Sequence, residues 1–112
     1  MAEQSTVERR QALEEERGRV EKEMDRLRVY LGELRVAEDG VDPDAAERMM
    51  SLSIMENLER RLQSIGHALS KMDRGQGELC ERCGRPIERE RLKVLPDTTL
   101  CIKCKVELER EG

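Results

Sequence analysis

Four cysteines in two Cys-x-x-Cys pairs are the residues of this sequence whose types and spacing indicate chemistry most clearly. Cys80 pairs with Cys83 and Cys101 with Cys104; 17 residues separate the pairs, and the 112-residue chain has no other cysteine. Each pair can present both sulfurs to one ion, and the intervening loop can return to complete a tetrahedron. Gly84, directly after the first pair, suits the tight turn of a zinc knuckle. The spacing predicts one structural Zn²⁺ bound by all four thiolates.

Other uses of the same cysteines are less consistent with the rest of the sequence. A catalytic zinc needs an open coordination position and a nearby group to activate water, and four sulfur ligands leave neither. A thioredoxin-like redox pair needs a βαβ context that is missing here, whereas an iron–sulfur cluster would use the same ligands and remains open. The single histidine, His67, is expected to be an ordinary surface residue. No enzymatic activity is expected.

The composition argues against a large globular core. Charged residues make up 41% of the chain, hydrophobic residues 37%, and Tyr30 is the only aromatic residue. Helices stabilised by repeated aliphatic contacts and a metal fit this composition. No signal-like or membrane-spanning apolar stretch is present, which places the protein in the cytoplasm, where thiols stay reduced and favour metal binding.

The balance of charge argues against stable direct DNA binding. The net charge is −4, and acidic and basic residues are interspersed without a long basic run. Residues 75–112 contain eight basic and eight acidic side chains, so four thiolates with one zinc would leave this segment net negative.

Two series of apolar residues at alternating spacings of three and four predict two helices with coiled-coil seams. The first helix is expected to begin at Ser5, which forms a capping-box pattern with Glu8. The apolar positions of the first helix are Leu13, Val20, Met24, Leu27, Leu31 and Leu34. Those of the second helix are Met55, Leu58, Leu62, Ile65, Leu69 and Met72.

A break at residues 37–47 indicates that the two helices form an antiparallel hairpin. Gly40 suits the position after a helix end, and Asp42-Pro43 reads as an N-cap followed by a first-turn proline, so the tip is expected at about 38–44. Folding there pairs the two seams in one register: Leu27 with Met55, Met24 with Leu58, and Val20 with Leu62. Each arm would be on the order of 45 Å long. A parallel intermolecular dimer with a kinked tip is the alternative.

The cysteine segment is expected to form a second small domain. Gly75 and Gly77 end the second helix, which divides the chain into a hairpin at 1–77 and a finger at 78–112. Pro96-Asp97 reads as a turn, and the segment after the second pair as a short helix carrying Val106 and Leu108. The small core of the finger is predicted to contain Ile87, Leu92, Val94 and Leu95. The predicted fold is therefore mainly α, a coiled-coil hairpin followed by a four-cysteine zinc finger with a short C-terminal helix.

The finger resembles that of the DksA/TraR family of bacterial transcription regulators. That family's finger reads Cys-x-x-Cys-Gly-x-x-Ile, then Arg-Leu, a proline and Cys-Ile-x-Cys. The matching residues here are Cys80, Cys83, Gly84, Ile87, Arg91, Leu92, Pro96, Cys101, Ile102 and Cys104. The resemblance implies binding to RNA polymerase at the rim of its secondary channel, with the coiled coil reaching inward toward the active site.

The resemblance also implies functional residues at the tip and in the finger. Family members carry Asp-x-x-Asp-x-Ala at the tip; Asp39 and Asp42 match this pattern, but Asp44 occupies the alanine position and Ala45 follows it. Guanosine tetraphosphate, to which some members respond, is a possible further partner. Basic residues that could face polymerase or a phosphate are Arg60, Arg61, Lys71, Arg74, Arg89, Arg91 and Lys93, with ordinary solvated helix charge as the alternative. A zinc-stabilised coiled-coil adapter that does not act on polymerase is the competing function.

Overall fold

The residues that the structure describes form four helices. In a computed structural model that describes residues 2–35 and 40–112, with side chains from residue 6 onward, the helices are α1 (Ala2–Glu33), α2 (Ala45–Asp73), α3 (Arg89–Val94) and α4 (Ile102–Glu111). In those two ranges the only extended pairing is an isolated antiparallel bridge between Leu79 and Pro86. The predicted mainly α class is confirmed.

The first helix begins earlier than the sequence predicts. α1 starts at Ala2, so Ser5 lies inside the helix and not at its N-cap, and the predicted capping box with Glu8 is wrong. Residues 2–4 are a helix-tolerant Ala-Glu-Gln sequence that extends the helix past the capping signal. In the described part of the chain, no helix is long and apolar enough to cross a membrane.

The chain forms two compact units. The finger unit consists of Met1–Glu16 and Ser64–Gly112, and the hairpin unit of Arg17–Gln63. The expected division at residue 77 separates the long helices from the cysteine segment along the chain. The compact units instead group the first turns of α1 and the last turns of α2 with the cysteine segment.

The hairpin unit contains two antiparallel helical segments joined by the turn. Val20, Met24 and Met55 are buried along the seam, as the heptad pattern predicts. Across the helices, the Tyr30 hydroxyl donates a 2.6 Å hydrogen bond to Glu47. The antiparallel hairpin is confirmed, while the individual residue pairs proposed for its register stay predictions. The remaining seam leucines are only half-buried: Leu27, Leu31, Leu34, Leu58 and Leu62.

Within the finger unit the seam is more completely enclosed. Leu13 and Ile65 have no exposed surface, and Ala68, Leu69 and Met72 are also buried. α2 ends at Asp73, and Gly75 follows with φ 74°, as predicted for the end of this helix. Gly77 has a different role: a Cβ there would lie 2.6 Å from Cγ of Met72, so close packing requires the glycine.

We expect truncation of Leu13 to destabilise the protein more than truncation of Leu27. Leu13→Ala removes a completely buried side chain, which typically costs about 2 to 5 kcal/mol, whereas Leu27 is already half-exposed and leaves a smaller cavity. Chemical denaturation followed by circular dichroism measures both changes. Equal losses of unfolding free energy in the two variants would show that Leu13 and Leu27 are equally buried.

Candidate metal centre and hairpin tip

The four cysteine sulfurs lie together in the finger unit. The Sγ atoms of Cys80, Cys83, Cys101 and Cys104 all lie within 4.8 Å of one another, and those of Cys83 and Cys101 are 3.9 Å apart. A tetrahedral zinc with Zn–S bonds of about 2.3 Å sets its sulfurs about 3.8 Å apart. Cys83 is exposed and the other three cysteines are buried. The cluster therefore fits one zinc ion held by four thiolates.

The first pair lies on a tight turn of the zinc-knuckle kind. The backbone N–H of Gly84 donates to the carbonyl of Cys80 at 2.9 Å, and the N–H of Cys80 donates to the carbonyl of Arg85 at 2.8 Å. Gly84 has φ 75°, in the left-handed region that favours glycine, while a Cβ there would meet open space. The glycine is therefore required by the backbone conformation and not by crowding against the thiolates.

The second pair begins the C-terminal helix. Cys101 is the N-cap residue of α4, and its sulfur accepts a hydrogen bond from the backbone N–H of Cys104 at 3.5 Å. A helix N-terminus carries partial positive charge, which stabilises a thiolate. Arg82 donates to the Cys104 carbonyl at 3.3 Å and pairs with Glu111 at 2.8 Å, which ties the first knuckle to α4.

The cysteines strongly affect one another's ionisation. Burial raises the pKa of Cys80, but hydrogen bonds from the backbone N–H groups of Cys101, Cys83 and Arg82 outweigh it and lower that pKa to about 6. Burial, followed by hydrogen bonds with the other three sulfurs, raises the pKa of Cys104 to about 12. Four adjacent thiolates thus need a cation to be ionised together, and zinc supplies it.

A small apolar cluster supports the metal centre. Ile87 is buried with three of the cysteines, and Leu92 packs against this cluster, as predicted. Val94 and Leu95 were predicted in this core, but they are 74% and 43% exposed. α3 ends at Val94 and the chain turns away there, so Leu100, next to Cys101, packs against the cluster instead.

The turn and the last helix of the finger follow the sequence prediction. At Pro96-Asp97, the N–H of Thr98 donates to the carbonyl of Leu95 at 3.0 Å, which closes a turn. α4 carries Val106 and Leu108, which are about two-fifths exposed.

The basic residues singled out in the sequence fall into two groups. Lys71 is 4% exposed and donates to the Leu79 carbonyl, while Arg91 is half-buried and donates to the Leu100 carbonyl at 2.9 Å. Both side chains therefore stabilise the backbone of the finger through hydrogen bonds to its carbonyls. The other basic residues in or beside the finger are exposed: Arg74, Arg89 and Lys93. The Nζ atom of Lys93 lies 3.6 Å from Oε1 of Glu90. On the hairpin unit, Arg60 is exposed and Arg61 half-buried.

Arg9 is an important residue that sequence reasoning missed. It is 8% exposed, and its guanidinium donates to the carbonyls of Pro96 at 2.7 Å, Gly77 at 2.5 Å and Thr98 at 3.0 Å. Burial lowers the pKa of Arg9, while the nearby carboxylates of Glu78 and Asp97 raise it. Arg9 lies four residues before Leu13 and so on the same face of α1. A charged residue at a seam position was the signal that could have identified it.

His67 is exposed, as expected, but it has a specific partner. Its Nε2 lies 2.6 Å from Oε2 of Glu81, whose Oε1 accepts from the Thr99 hydroxyl at 2.9 Å. Burial raises the pKa of Glu81, but the hydrogen bonds from His67 and Thr99 outweigh it, so that pKa is lowered.

The hairpin tip is organised by two of the predicted acidic residues. Asp42 accepts the N–H of Asp44 at 3.0 Å through Oδ1 and pairs with Arg48 at 3.0 Å through Oδ2. Asp44 accepts the N–H of Arg35 at 2.9 Å, and its carbonyl accepts the N–H of Arg48. Asp44 directly precedes α2, and its carbonyl accepts the first bond of the helix, whereas the side chain that accepts a backbone N–H at this helix start is that of Asp42, the residue predicted as the N-cap. Ala45 is exposed at the first position of α2; Asp39 lies outside the described residues.

We expect the Asp42 carboxyl to titrate below its ordinary pKa of 3.8. The hydrogen bond from Arg48 lowers this pKa most; partial burial opposes it, and the Asp44 N–H lowers it further. Because the pKa is lowered on folding, the interaction stabilises the tip above the ordinary value and is lost as pH falls through the folded pKa. Carboxyl ¹³C NMR titration of the protein and of Arg48→Met measures this. A pKa unchanged by the substitution would contradict the ion pair.

Comparisons with known proteins agree on one family for the finger. The family described as the prokaryotic dksA/traR C4-type zinc finger matches residues 75–110. Protein TraR of Escherichia coli strain K12 is 48% identical over 33 residues, which are 30% of this chain and 45% of TraR. The residues that match the family include all four cysteines of the metal centre.

Longer matches include the helices. An uncharacterized protein of Aquifex aeolicus strain VF5 is 34% identical over 86 residues, 70% of this chain and 59% of that protein. The chain thus spans 59% of the length of this curated relative and 45% of the length of TraR. The solved structure of transcription factor DksA2 from Pseudomonas aeruginosa matches with a TM-score of 0.82 and 27% identity, over 97% of this chain and 86% of DksA2.

Proposed function

This chain belongs to the DksA/TraR family of C4 zinc-finger proteins, and from that premise we propose that it regulates transcription by binding RNA polymerase at the secondary channel. The observation that carries the proposal is the match to a transcription factor over 97% of the chain, helices and finger together. A likeness confined to the finger would support a zinc module alone. The extended match favours a protein that uses its hairpin as well.

In this proposal the two parts of the chain have different tasks. The finger and the adjoining helix ends bind the rim of the channel, and the hairpin carries its tip toward the active site. α1 and α2 contain 32 and 29 residues, and a helix rises about 1.5 Å per residue. The tip presents Asp42, Asp44 and Ala45, with Asp39 before them, near the catalytic magnesium of polymerase.

The tip residues differ in how freely they can interact with polymerase. Both oxygens of Asp42 already accept hydrogen bonds, so its charge is partly neutralised by Arg48. Asp44, at the position where the family pattern has alanine, uses one oxygen to bind the Arg35 N–H. This chain therefore presents an extra carboxylate at the tip, and its effect on initiation can differ from that of the family pattern.

The remaining parts of the proposal follow from the chemistry of the site. Four thiolates saturate a zinc ion, so the metal has a structural role and the protein acts without catalysis of its own. The mixed charge of the finger favours a protein partner over DNA, and a cytoplasmic location follows from polymerase as the partner. We propose guanosine tetraphosphate as a further partner, and Arg74, Arg89 and Lys93 are exposed cations suited to binding its phosphates.

A coiled-coil adapter for other proteins is the competing proposal. Both proposals predict a zinc-dependent finger, so metal binding does not separate them. Co-purification with core RNA polymerase separates the two proposals, when it is measured with and without another secondary-channel factor. We expect binding that the second factor displaces. A protein that is folded and zinc-loaded but never retained by polymerase would favour the adapter.

The exposed basic residues provide a second test of the docking surface. Reversing the charges of Arg89 and Lys93 to glutamate is expected to weaken polymerase binding, because exposed charges at an interface steer association. Neither side chain is buried, so zinc content and melting temperature should stay close to those of the parent protein. Unchanged affinity would remove these two residues from the proposed surface.

A further inference from the structure

Arg9 joins the two backbone segments that lead into the two halves of the zinc site. One of its carbonyl partners, Gly77, precedes Cys80 by three residues. The other two, Pro96 and Thr98, belong to the segment that leads into Cys101. One guanidinium on α1 therefore holds together two chain segments that are far apart in sequence and that each lead into a cysteine pair.

Hydrogen bonds connect the segment that Arg9 binds to the first cysteine pair. Directly after Thr98, the carbonyl of Thr99 accepts the N–H of Glu81, the residue after Cys80, at 2.9 Å. The Thr99 hydroxyl also donates to the Glu81 carboxylate at 2.9 Å. The segment at residues 96–100, which Arg9 binds, therefore lies beside the first cysteine pair, and it leads directly into the second pair at Cys101.

Arginine is well suited to this task, and a substitute would not be equivalent. The planar guanidinium presents five N–H donors in a fixed arrangement, so one side chain can bind several carbonyls at once. At 8% exposure, Arg9 is poorly accessible to water, and so without it the three carbonyls would lose donors in a largely enclosed place. Lysine would keep the charge but lose the fixed geometry.

We propose that Arg9 is a positioning residue for the zinc site, which preorganises the two cysteine pairs from a helix that contributes no ligand. Zinc affinity then depends on α1. By thermodynamic linkage, zinc binding stabilises the first turns of α1 to the same extent. The finger and the beginning of α1 therefore respond together to gain or loss of the metal.

Zinc release from the full-length protein tests the proposal. Arg9→Met removes all the donors while keeping a long apolar side chain, and should release zinc to a chromogenic chelator at least tenfold faster. Arg9→Lys should fall between Arg9→Met and the parent. Arg10 lies next to Arg9 on α1, and Arg10→Met loses only an exposed ion pair with Asp73 of α2, so it should match the parent.

A second control separates positioning from general stability. Leu13→Ala removes a fully buried side chain from the same helix but keeps the Arg9 donors to the three carbonyls. At a temperature where both variants are folded, it should accelerate zinc release less than Arg9→Met, even if it lowers the melting temperature more. Release rates that simply follow melting temperature would overturn the positioning role.

The reciprocal effect is measured by hydrogen exchange on the parent protein. Removing zinc should increase amide exchange in residues 6–16 of α1 as well as in residues 78–108, with little change in residues 20–33. If Arg9→Met does not fold, this measurement and Arg9→Lys decide the matter. Zinc removal that leaves residues 6–16 fully protected, or release from Arg9→Lys within twofold of the parent, contradicts the proposal.

Discussion

Replacement of Cys101 by serine is expected to abolish tight zinc binding and to unfold residues 78–108. A four-sulfur site seldom forms without its ion, so the free energy of metal binding is also free energy of folding for this segment. Burial and the neighbouring sulfurs raise the pKa of Cys104 to about 12, so four adjacent thiolates are unfavourable unless a cation binds them. The hairpin unit has its own buried seam and should remain helical.

Elemental analysis and hydrogen exchange measure this result. The parent should contain one zinc per chain and protect residues 78–108, whereas Cys101→Ser and Cys83→Ser should lose both the metal and the protection. Parent protein treated with a chelator is the matched control, because it loses the ion without a change of sequence. Iron in place of zinc, or an ordered finger in metal-free protein, would contradict the assignment.

Replacement of Asp39 and Asp42 together by asparagine is expected to remove most of the effect on transcription while preserving polymerase binding. Affinity is proposed to come mainly from the finger and the adjoining helix ends, and the charges at the tip are proposed to act near the active site. Asparagine can still accept the Asp44 N–H that Asp42 accepts, so the turn should persist and the melting temperature should change little. Transcription in vitro and polymerase binding are measured on the same preparations.

The control for this double substitution is Arg48→Met. It removes the cation that pairs with Asp42 but leaves both tip carboxylates in place. If the tip acts through its charge, Arg48→Met should retain regulation and the double asparagine variant should not. If both variants regulate like the parent while bound in the channel, the tip acids serve only to organise the turn.

The parts of the structure that depend on short-range patterns were predictable from the sequence. The alternating spacing of Val20, Met24 and Met55 identified buried seam positions, because a helix repeats its face every three to four residues. The cysteine spacing identified the metal centre, because each Cys-x-x-Cys pair is a local turn. The sequence also indicated that Asp42 lies at the start of the second helix, although it did not indicate the ion pair of Asp42 with Arg48 or the hydrogen bond from the Arg35 N–H to Asp44.

Contacts between distant parts of the chain were not predictable in this way. Arg9 and Lys71 resemble ordinary charged residues on helices, and only the folded finger places backbone carbonyls where they can donate to them. Val94 and Leu95 are apolar and were assigned to the core, but the position where α3 ends leaves them exposed. With few apolar residues available, the finger relies on buried hydrogen bonds that carry no periodic signal.

Photo-crosslinking from the tip measures whether the hairpin enters the channel of RNA polymerase. A photoreactive amino acid at Val41, which is 64% exposed beside Asp42, should crosslink to polymerase segments that line the active-site channel. The same amino acid at Val94, 74% exposed in the finger, should crosslink outside the channel or not at all. We expect channel crosslinks from Val41 that a competing secondary-channel factor abolishes. Crosslinks from Val41 only to the outer surface of polymerase, or to no part of it, would rule out insertion of the hairpin into the channel.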